Sequence, residues 1–283
     1  MLGRITIGAI VLVGAISMAA LLSAYNLPIE YNQAALRVVG DKSAQISAPA
    51  WAVFSLATGE ILFAENEQMV LPIASVTKLA TAATLLNGYD MTYTTTTSWQ
   101  DIYTEGKAGG LTAGEKLSRE ELLFPLLLES SNDAATTLES SLPPGELISN
   151  MNNFVAAKGL KATSFKDTSG LSPENKSSAE DLVRLAHLIY KEQPHITDIT
   201  RLKQFLSTNH GWQNNNPFIA SAGYVGGKHG FTPEAGRTAV AIFEEQFPKN
   251  QTAPVGYVVL GSRDLKTDIQ TLRELVRTGV YYR

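Results

Sequence analysis

The sequence predicts a mixed α/β (α+β) fold. One antiparallel sheet is built from both chain ends and flanked by helices, with a helical subdomain inserted between the two parts of the sheet. Three observations predict it. Apolar runs rich in Val, Ile and aromatic residues sit early (Trp51–Ser55, Glu60–Ala64) and late (Ala220–Phe231, Arg237–Glu244, Pro254–Leu260) in the chain. Helical patterns fill the middle. Short turn-rich connections join neighbouring runs, which suits hairpins and therefore antiparallel pairing.

Each element follows from its own residues. Arg4 precedes an uncharged run from Ile5 to Ile29, and the strongly apolar part, Ile5–Leu22, is 18 residues long. That is at the lower limit for spanning a bilayer and longer than most signal-peptide cores. Residues 1–24 are therefore read as an N-terminal transmembrane anchor or signal peptide, the anchor being preferred. For a cleavage site ending at Ala24, Leu22 is too large for the small residue preferred at the −3 position, and Arg4 on the cytoplasmic side places the remainder outside. Residues 25–48 are polar and without period, and read as a linker. Residues 49–283 read as the folded domain that carries the function. Ala50–Asn66 reads as a hairpin around Ala57-Thr58-Gly59. Ser75–Leu86 is a helix rich in Ala and Leu. Thr92–Thr97 is a strand edge or loop. Ser118-x-x-Glu121 is a capping box that opens a helix, with Pro125 in its early turns. A second helix starts near Ser131-Asn132-Asp133. Pro144–Lys158 is helical and stops at Gly159. Ser178-x-x-Asp181 opens a helix to about Lys191, and Asp264–Thr278 closes the chain as another.

Composition excludes several functions. The chain has 283 residues, 44% hydrophobic and 18% charged, which is neither disordered, collagen-like nor a coiled-coil rod. Lys and Arg number 23 against 27 Asp and Glu, a net charge of −4. That mild acidity argues against a nucleic-acid partner. No cysteine is present, so disulfides, thiolate zinc sites and cysteine nucleophiles are excluded.

Three short elements carry candidate chemistry: Ser75-Val76-Thr77-Lys78, Ser130-Ser131-Asn132 and Lys228-His229-Gly230. Singly they mean little. Ser207-Thr208-Asn209 and Lys107-Ala108-Gly109 repeat two of the patterns by chance. Their settings give them weight. Ser75 stands where a loop of small residues enters an apolar helix, and a spacing of three puts Lys78 on the same face. Free backbone N–H groups at a helix start suit an oxyanion. Ser130-x-Asn132 falls at a break between helices. Lys228-His229-Gly230 lies on a strand where Gly230 permits close approach.

The order Ser-x-x-Lys, Ser-x-Asn, Lys-x-Gly resembles the penicillin-recognising serine enzymes of the β-lactamase/transpeptidase-like superfamily. The longer phrases are most similar to the low-molecular-mass D-alanyl-D-alanine carboxypeptidases. They are Pro72–Leu79, Leu127–Ala135, Asp167–Leu171 with Ser178–Leu182, and Gly227–Gly236. The resemblance covers about residues 49–280.

It implies a serine-type D-Ala-D-Ala carboxypeptidase acting on peptidoglycan stem peptides, with no metal or organic cofactor. Ser75 would be the nucleophile, Lys78 its base and Ser130 a proton relay. Asn132, Lys228, His229, Gly230 and Phe231 would bind substrate. The backbone N–H groups of Ser75 and Phe231 would hold the oxyanion. β-Lactams are implied as covalent inhibitors. The enzyme would work outside the cytoplasm, attached to the membrane through the N-terminal segment. A Lys acts as a base only when neutral, so Lys78 needs burial and a neighbouring cation, which the resemblance assigns to Lys228. The family usually carries Thr or Ser where this chain has His229. An imidazole still donates a hydrogen bond, and brings a titration near its ordinary pKa. Alternative functions are a DD-endopeptidase on cross-links, a β-lactamase using Glu174, or a decayed wall-binding protein. His187, His195 and His210 show no acid-paired or metal-like spacing and are read as structural or surface residues.

Overall fold

The computed structural model describes residues 36–38, 45–103, 105–106 and 108–282. The segment 1–24 read as an anchor lies outside the described residues. Among the described residues, no helix is long and apolar enough to cross a membrane.

In chain order the strands and helices begin with β1 (Leu36–Val38), β2 (Ala50–Ser55), β3 (Ile61–Glu65), β4 (Leu71–Pro72) and α1 (Thr77–Gly88). They continue with β5 (Thr94–Thr96), β6 (Lys116–Ser118), α2 (Arg119–Leu128), α3 (Asn132–Ser140), α4 (Glu146–Ala157), β7 (Lys176–Ser177) and α5 (Ala179–Glu192). Then come α6 (Pro194–Thr200), β8 (Gln204–Leu206), β9 (Gly211–Gln213), β10 (Tyr224–Thr232), β11 (Gly236–Phe247), β12 (Gln251–Ser262), α7 (Leu265–Gly279) and β13 (Val280–Tyr282).

The main sheet has the order β10-β11-β12-β2-β3, and every neighbouring pair is antiparallel. Both ends of the chain supply it, as the sequence pattern predicts. All six residues of β2, Ala-Trp-Ala-Val-Phe-Ser, are buried. A strand apolar on both faces needs cover on both. On one face Trp51 and Val53 join Ala241, Phe243, Val255, Tyr257 and Val259 in a core closed by Ile269, Leu272 and Val276 of α7. On the other face lie α5 and the helical region. The central helix α1 is buried from Thr77 through Leu85.

Local signals place most ends. The capping box opens α2: the Ser118 Oγ accepts from Glu121 N at 3.1 Å, and Glu121 Oε2 accepts from Ser118 N at 2.8 Å. Three features go beyond the sequence reading. Leu36–Val38, inside the span read as linker, pairs antiparallel with Val280–Tyr282. Helix α6 starts on Pro194, whose missing N–H is no loss at a first position. The β8–β9 hairpin is too short and polar to show a period.

Candidate active site

Ser75 stands in a single 3-10 turn, Ala74–Val76, that leads into α1. The turn is pinned from three sides. Ala74 has φ +46°. Thr238 Oγ1 of β11 donates to Ile73 O at 2.9 Å. Behind it lies Gly170, at φ +90°, where a Cβ would come within 2.0 Å of Ala74 O. Only glycine fits there. One turn along α1, the side chain of Lys78 is fully buried.

Ser130 is placed by the way α2 ends. The Pro125 carbonyl accepts both Glu129 N, at 3.2 Å, and Ser131 N, at 3.0 Å, which closes the helix. Ser130 then takes φ +60°, a conformation uncommon for a residue with a side chain and one that clusters at functional sites. Ser131 immediately caps α3, its Oγ accepting from Ala134 N at 3.0 Å and donating to Ala108 O at 2.6 Å. Asn132 therefore begins α3, and its Nδ2 donates to Glu105 O at 2.7 Å. That bond turns its Oδ1 toward Lys78.

Strand β10 brings the third element. Lys228 is buried and reaches Ser130 Oγ at 2.9 Å and its neighbour's carbonyl, His229 O, at 2.8 Å. Gly230, two residues on and so on the same side of the strand, runs against the Ser75 turn: a Cβ there would meet Ser75 N at 2.5 Å. Phe231 is exposed, with the Arg237 guanidinium 5.3 Å from its ring centre. The structure thus gathers Ser75, Lys78, Ser130, Asn132, Lys228 and Gly230 at one place. The chance repeats lie elsewhere or unassigned. Ser207 closes the β8–β9 turn by accepting from His210 N at 3.1 Å, and Lys107 lies outside the described residues.

Lys78 Nζ has three oxygen neighbours: Ser75 Oγ at 3.0 Å, Asn132 Oδ1 at 2.7 Å and Ser169 O at 2.6 Å. Burial, then the Lys228 charge, hold its pKa well below the ordinary lysine value; Asp167 opposes them. A neutral amine keeps two donors and one lone pair. Two of the three neighbours can only accept. The lone pair therefore faces the one that can donate, the Ser75 hydroxyl, in the geometry of a general base. Burial lowers Lys228 to about 7.

His229 departs from expectation. Burial first, then the charges of Lys228, Arg237 and Lys78, push its pKa down to about 3. The ring is neutral across the physiological range, so the titration expected near its ordinary value moves out of that range. His195 and His210 are acid-paired after all, with Glu120 and Glu115, across 75 and 95 residues that no spacing rule spans. Among the described residues no cluster of His, Asp and Glu is arranged to hold a metal ion.

Sequence reasoning missed one group, the Ser169 carbonyl. Asp167, which opens one of the phrases that carry the resemblance, fastens it. Its Oδ1 accepts from Ser169 N at 2.8 Å and Gly170 N at 2.6 Å, and its Oδ2 from Ser172 N at 2.6 Å. Asp followed by Ser and Gly is a turn signal. It announces the loop, but not the lysine that the loop receives.

The sequence and the fold are shared with known proteins. The D-alanyl-D-alanine carboxypeptidase family model matches residues 37–263. A D-alanyl-D-alanine endopeptidase of Pseudomonas aeruginosa is 29% identical over 242 residues, 78% of this chain and 74% of that protein. The crystal structure of a D-alanyl-D-alanine carboxypeptidase from Mycobacterium tuberculosis superposes with a TM-score of 0.75 at 25% identity, covering 84% of this chain and 94% of that one. Penicillin-binding protein D2 of Listeria monocytogenes, in its cefotaxime-bound form, gives 0.72 at 25% identity over 83% of this chain and 98% of its own. On the family match and the shared fold, this chain belongs to the D-alanyl-D-alanine carboxypeptidase family.

Proposed function

We propose that the chain is a serine DD-peptidase of the bacterial cell wall, acting on D-Ala-D-Ala stem peptides through an acyl-enzyme on Ser75. The observation that carries this is the contact between Lys78 Nζ and Ser75 Oγ, 3.0 Å, made by an amine whose burial holds its pKa well below the ordinary lysine value. Lys78 takes the hydroxyl proton as Ser75 Oγ bonds to the scissile carbonyl carbon. The Ser75 N–H supports the developing oxyanion. The C–N bond then breaks, and Ser130, hydrogen-bonded to Lys228, passes a proton to the leaving amine. Water hydrolyses the ester. Lys228 and His229 face the carboxylate end of the substrate, the neutral imidazole replacing a hydroxyl donor. The substrate places this work outside the cytoplasm, with residues 1–24 as the membrane tether. β-Lactams would acylate the same serine, as the cefotaxime-bound relative suggests.

The direct test is intact-mass measurement of the full-length chain after exposure to a penicillin. A penicillin-sized adduct is expected on the wild type and none on Ser75→Ala. An adduct on the variant would remove Ser75 from the mechanism.

The two lysines also set the pH dependence. Lys78 must be neutral and Lys228 charged. Activity is therefore gained as pH rises past the lowered Lys78 pKa, and lost as pH rises through about 7, where Lys228 gives up its proton. The descending limb should appear near 7 in kcat/KM, which reports free enzyme. In kcat it should lie higher, because a bound carboxylate favours the charged lysine. Lys228→Arg, which stays protonated, should flatten that limb. A limb unmoved by this change would assign it to another group.

A further inference from the structure

Ser130 holds a left-handed backbone, φ +60°, and presents its Oγ to Lys228 Nζ at 2.9 Å. A residue with a side chain keeps such a conformation only where its surroundings over-determine it. Here both neighbours are fixed. On one side Ser131 gives its N–H to Pro125 O at 3.0 Å and its Oγ–H to Ala108 O at 2.6 Å. On the other stands Glu129, a half-buried carboxylate with no part in the steps above.

Glu129 joins the two chain segments that flank Ser130. Its Oε2 accepts from Gly109 N at 2.8 Å, and its Oε1 from Gln213 N at 3.0 Å. Its main-chain carbonyl accepts from Asn215 Nδ2 at 2.8 Å, and the carbonyl before it, Leu128 O, from Asn215 N at 3.0 Å. Gly109 is gripped on both sides, since its own carbonyl accepts from the Trp212 indole at 2.7 Å. It also passes close to the Ser131 hydroxyl: a Cβ there would come within 2.7 Å of Ser131 Oγ. One carboxylate thus ties the end of α2 to the segment whose carbonyls, Glu105 O and Ala108 O, hold Asn132 and Ser131. It ties the same end to the stretch 213–215, which leads out of β9 on the way to β10 and Lys228. Among the described residues Glu129 makes no ion pair. Both its oxygens are spent on peptide N–H groups, and a charged acceptor makes such bonds strong.

We propose that Glu129 is a positioning residue for the proton relay: by fastening both flanking segments it holds Ser130 in its left-handed turn, and so keeps Ser130 Oγ on Lys228 and directed at the leaving amine. This rests on the acyl-transfer reading above and adds no chemical step to it. It makes the role of Glu129 depend on the leaving group. When the C–N bond breaks, the electron pair stays on nitrogen, which must take up the relayed proton to depart as an amine. A thiolate departs without one, so its release makes no use of a well-placed Ser130.

The test uses the full-length chain in mild detergent, with Glu129→Gln, Ser130→Ala and the double variant. Glutamine keeps the shape and one acceptor, but sets an amide NH2 against the second peptide N–H. Two substrates share an acyl group ending in D-Ala: the amide, from which D-Ala leaves, and a thioester, from which thioglycolate leaves. Glu129→Gln should lower kcat/KM on the amide about 10- to 100-fold, within the worth of a proton-transfer group and the loss expected for an ångström of misplacement. On the thioester it should stay near the wild-type value. In the Ser130→Ala background, Glu129→Gln should change the amide rate by no more than about twofold, because two changes acting through one group do not add. An unchanged amide rate in Glu129→Gln would overturn the proposal. So would a parallel loss on amide and thioester, or a full further loss in the Ser130→Ala background, either of which a merely structural role predicts. If a thermal melt shows Glu129→Gln unfolded, Asn215→Ala takes its place in the same comparison: it removes the bond to Glu129 O and leaves the carboxylate, and it should show the same preference for harming the amide. Its failure to do so would overturn the proposal equally. A wild type that turns over neither substrate and forms no penicillin adduct would overturn the acyl-transfer reading instead.

Discussion

Lys78→Ala is expected to slow penicillin acylation of Ser75 by about 10²–10⁴-fold, the usual worth of a positioned general base. The mechanism is specific. Asn132 Oδ1 and Ser169 O, at 2.7 and 2.6 Å, hold the amine by accepting its hydrogens, leaving its lone pair for the serine 3.0 Å away. No other described side chain hydrogen-bonds to the Ser75 hydroxyl. Lys78→Arg separates base from charge. A guanidinium keeps the cation but has no lone pair to offer at any working pH. If the lysine acts as a base, Arg fails as badly as Ala; if it acts only by its charge, Arg rescues much of the rate. The folded state should survive Lys78→Ala. Two buried acceptors lose a donor, at about 1–3 kcal/mol each, but the burden of burying an amine is lifted as well. Stopped-flow acylation, read beside a thermal melt, checks both. Acylation within a few fold of wild type in Lys78→Ala would exclude the base role.

What could be read from the sequence was what is encoded locally. The Ser118–Glu121 box lies within one helical turn, and so does the Ser75–Lys78 pair. The apolar runs of β2, β11 and β12 are long enough to show their type. The order of the three short elements pointed to residues that the fold gathers: only folding brings Ser75, Ser130 and Lys228 together, and the resemblance supplied that fold. What escaped was encoded at long range or in the backbone. The Leu36–Val38 strand finds its partner at Val280–Tyr282, about the whole domain away. The Ser169 carbonyl has no side-chain identity for a motif to show. The His229 pKa is lowered first by burial and then by the charges of Lys228 and Arg237, and Arg237 reaches the site only through the β10–β11 register. The pairs His195–Glu120 and His210–Glu115 were missed for the same reason.

Gly230→Ala is expected to reduce acylation by about 10²–10³-fold, the loss seen when one oxyanion donor is removed, although it adds a single methyl group. A Cβ at this position would lie 2.5 Å from Ser75 N and 3.0 Å from both Ala74 Cβ and Thr238 Oγ1. The first contact is too short to persist, so either β10 or the Ser75 turn must shift. The turn has little freedom. Its back is against Gly170, where Ala74 O leaves no space, and its entry is tied to β11 by the bond from Thr238 Oγ1 to Ile73 O. The strand is less confined: β10 is the edge of the sheet, paired on one side only, with β11. The strain therefore goes to β10, moving it away from Ser75. That motion widens the gap an oxyanion would have to bridge, and draws Lys228, two residues back on the same strand, away from Ser130. Overpacking of this kind lowers stability by about 1–3 kcal/mol, which a thermal melt would register separately from the rate. The informative result is a folded variant that still binds penicillin reversibly but acylates slowly. A folded Gly230→Ala that acylates at the wild-type rate would show that the close approach of β10 to Ser75 N has no part in the reaction.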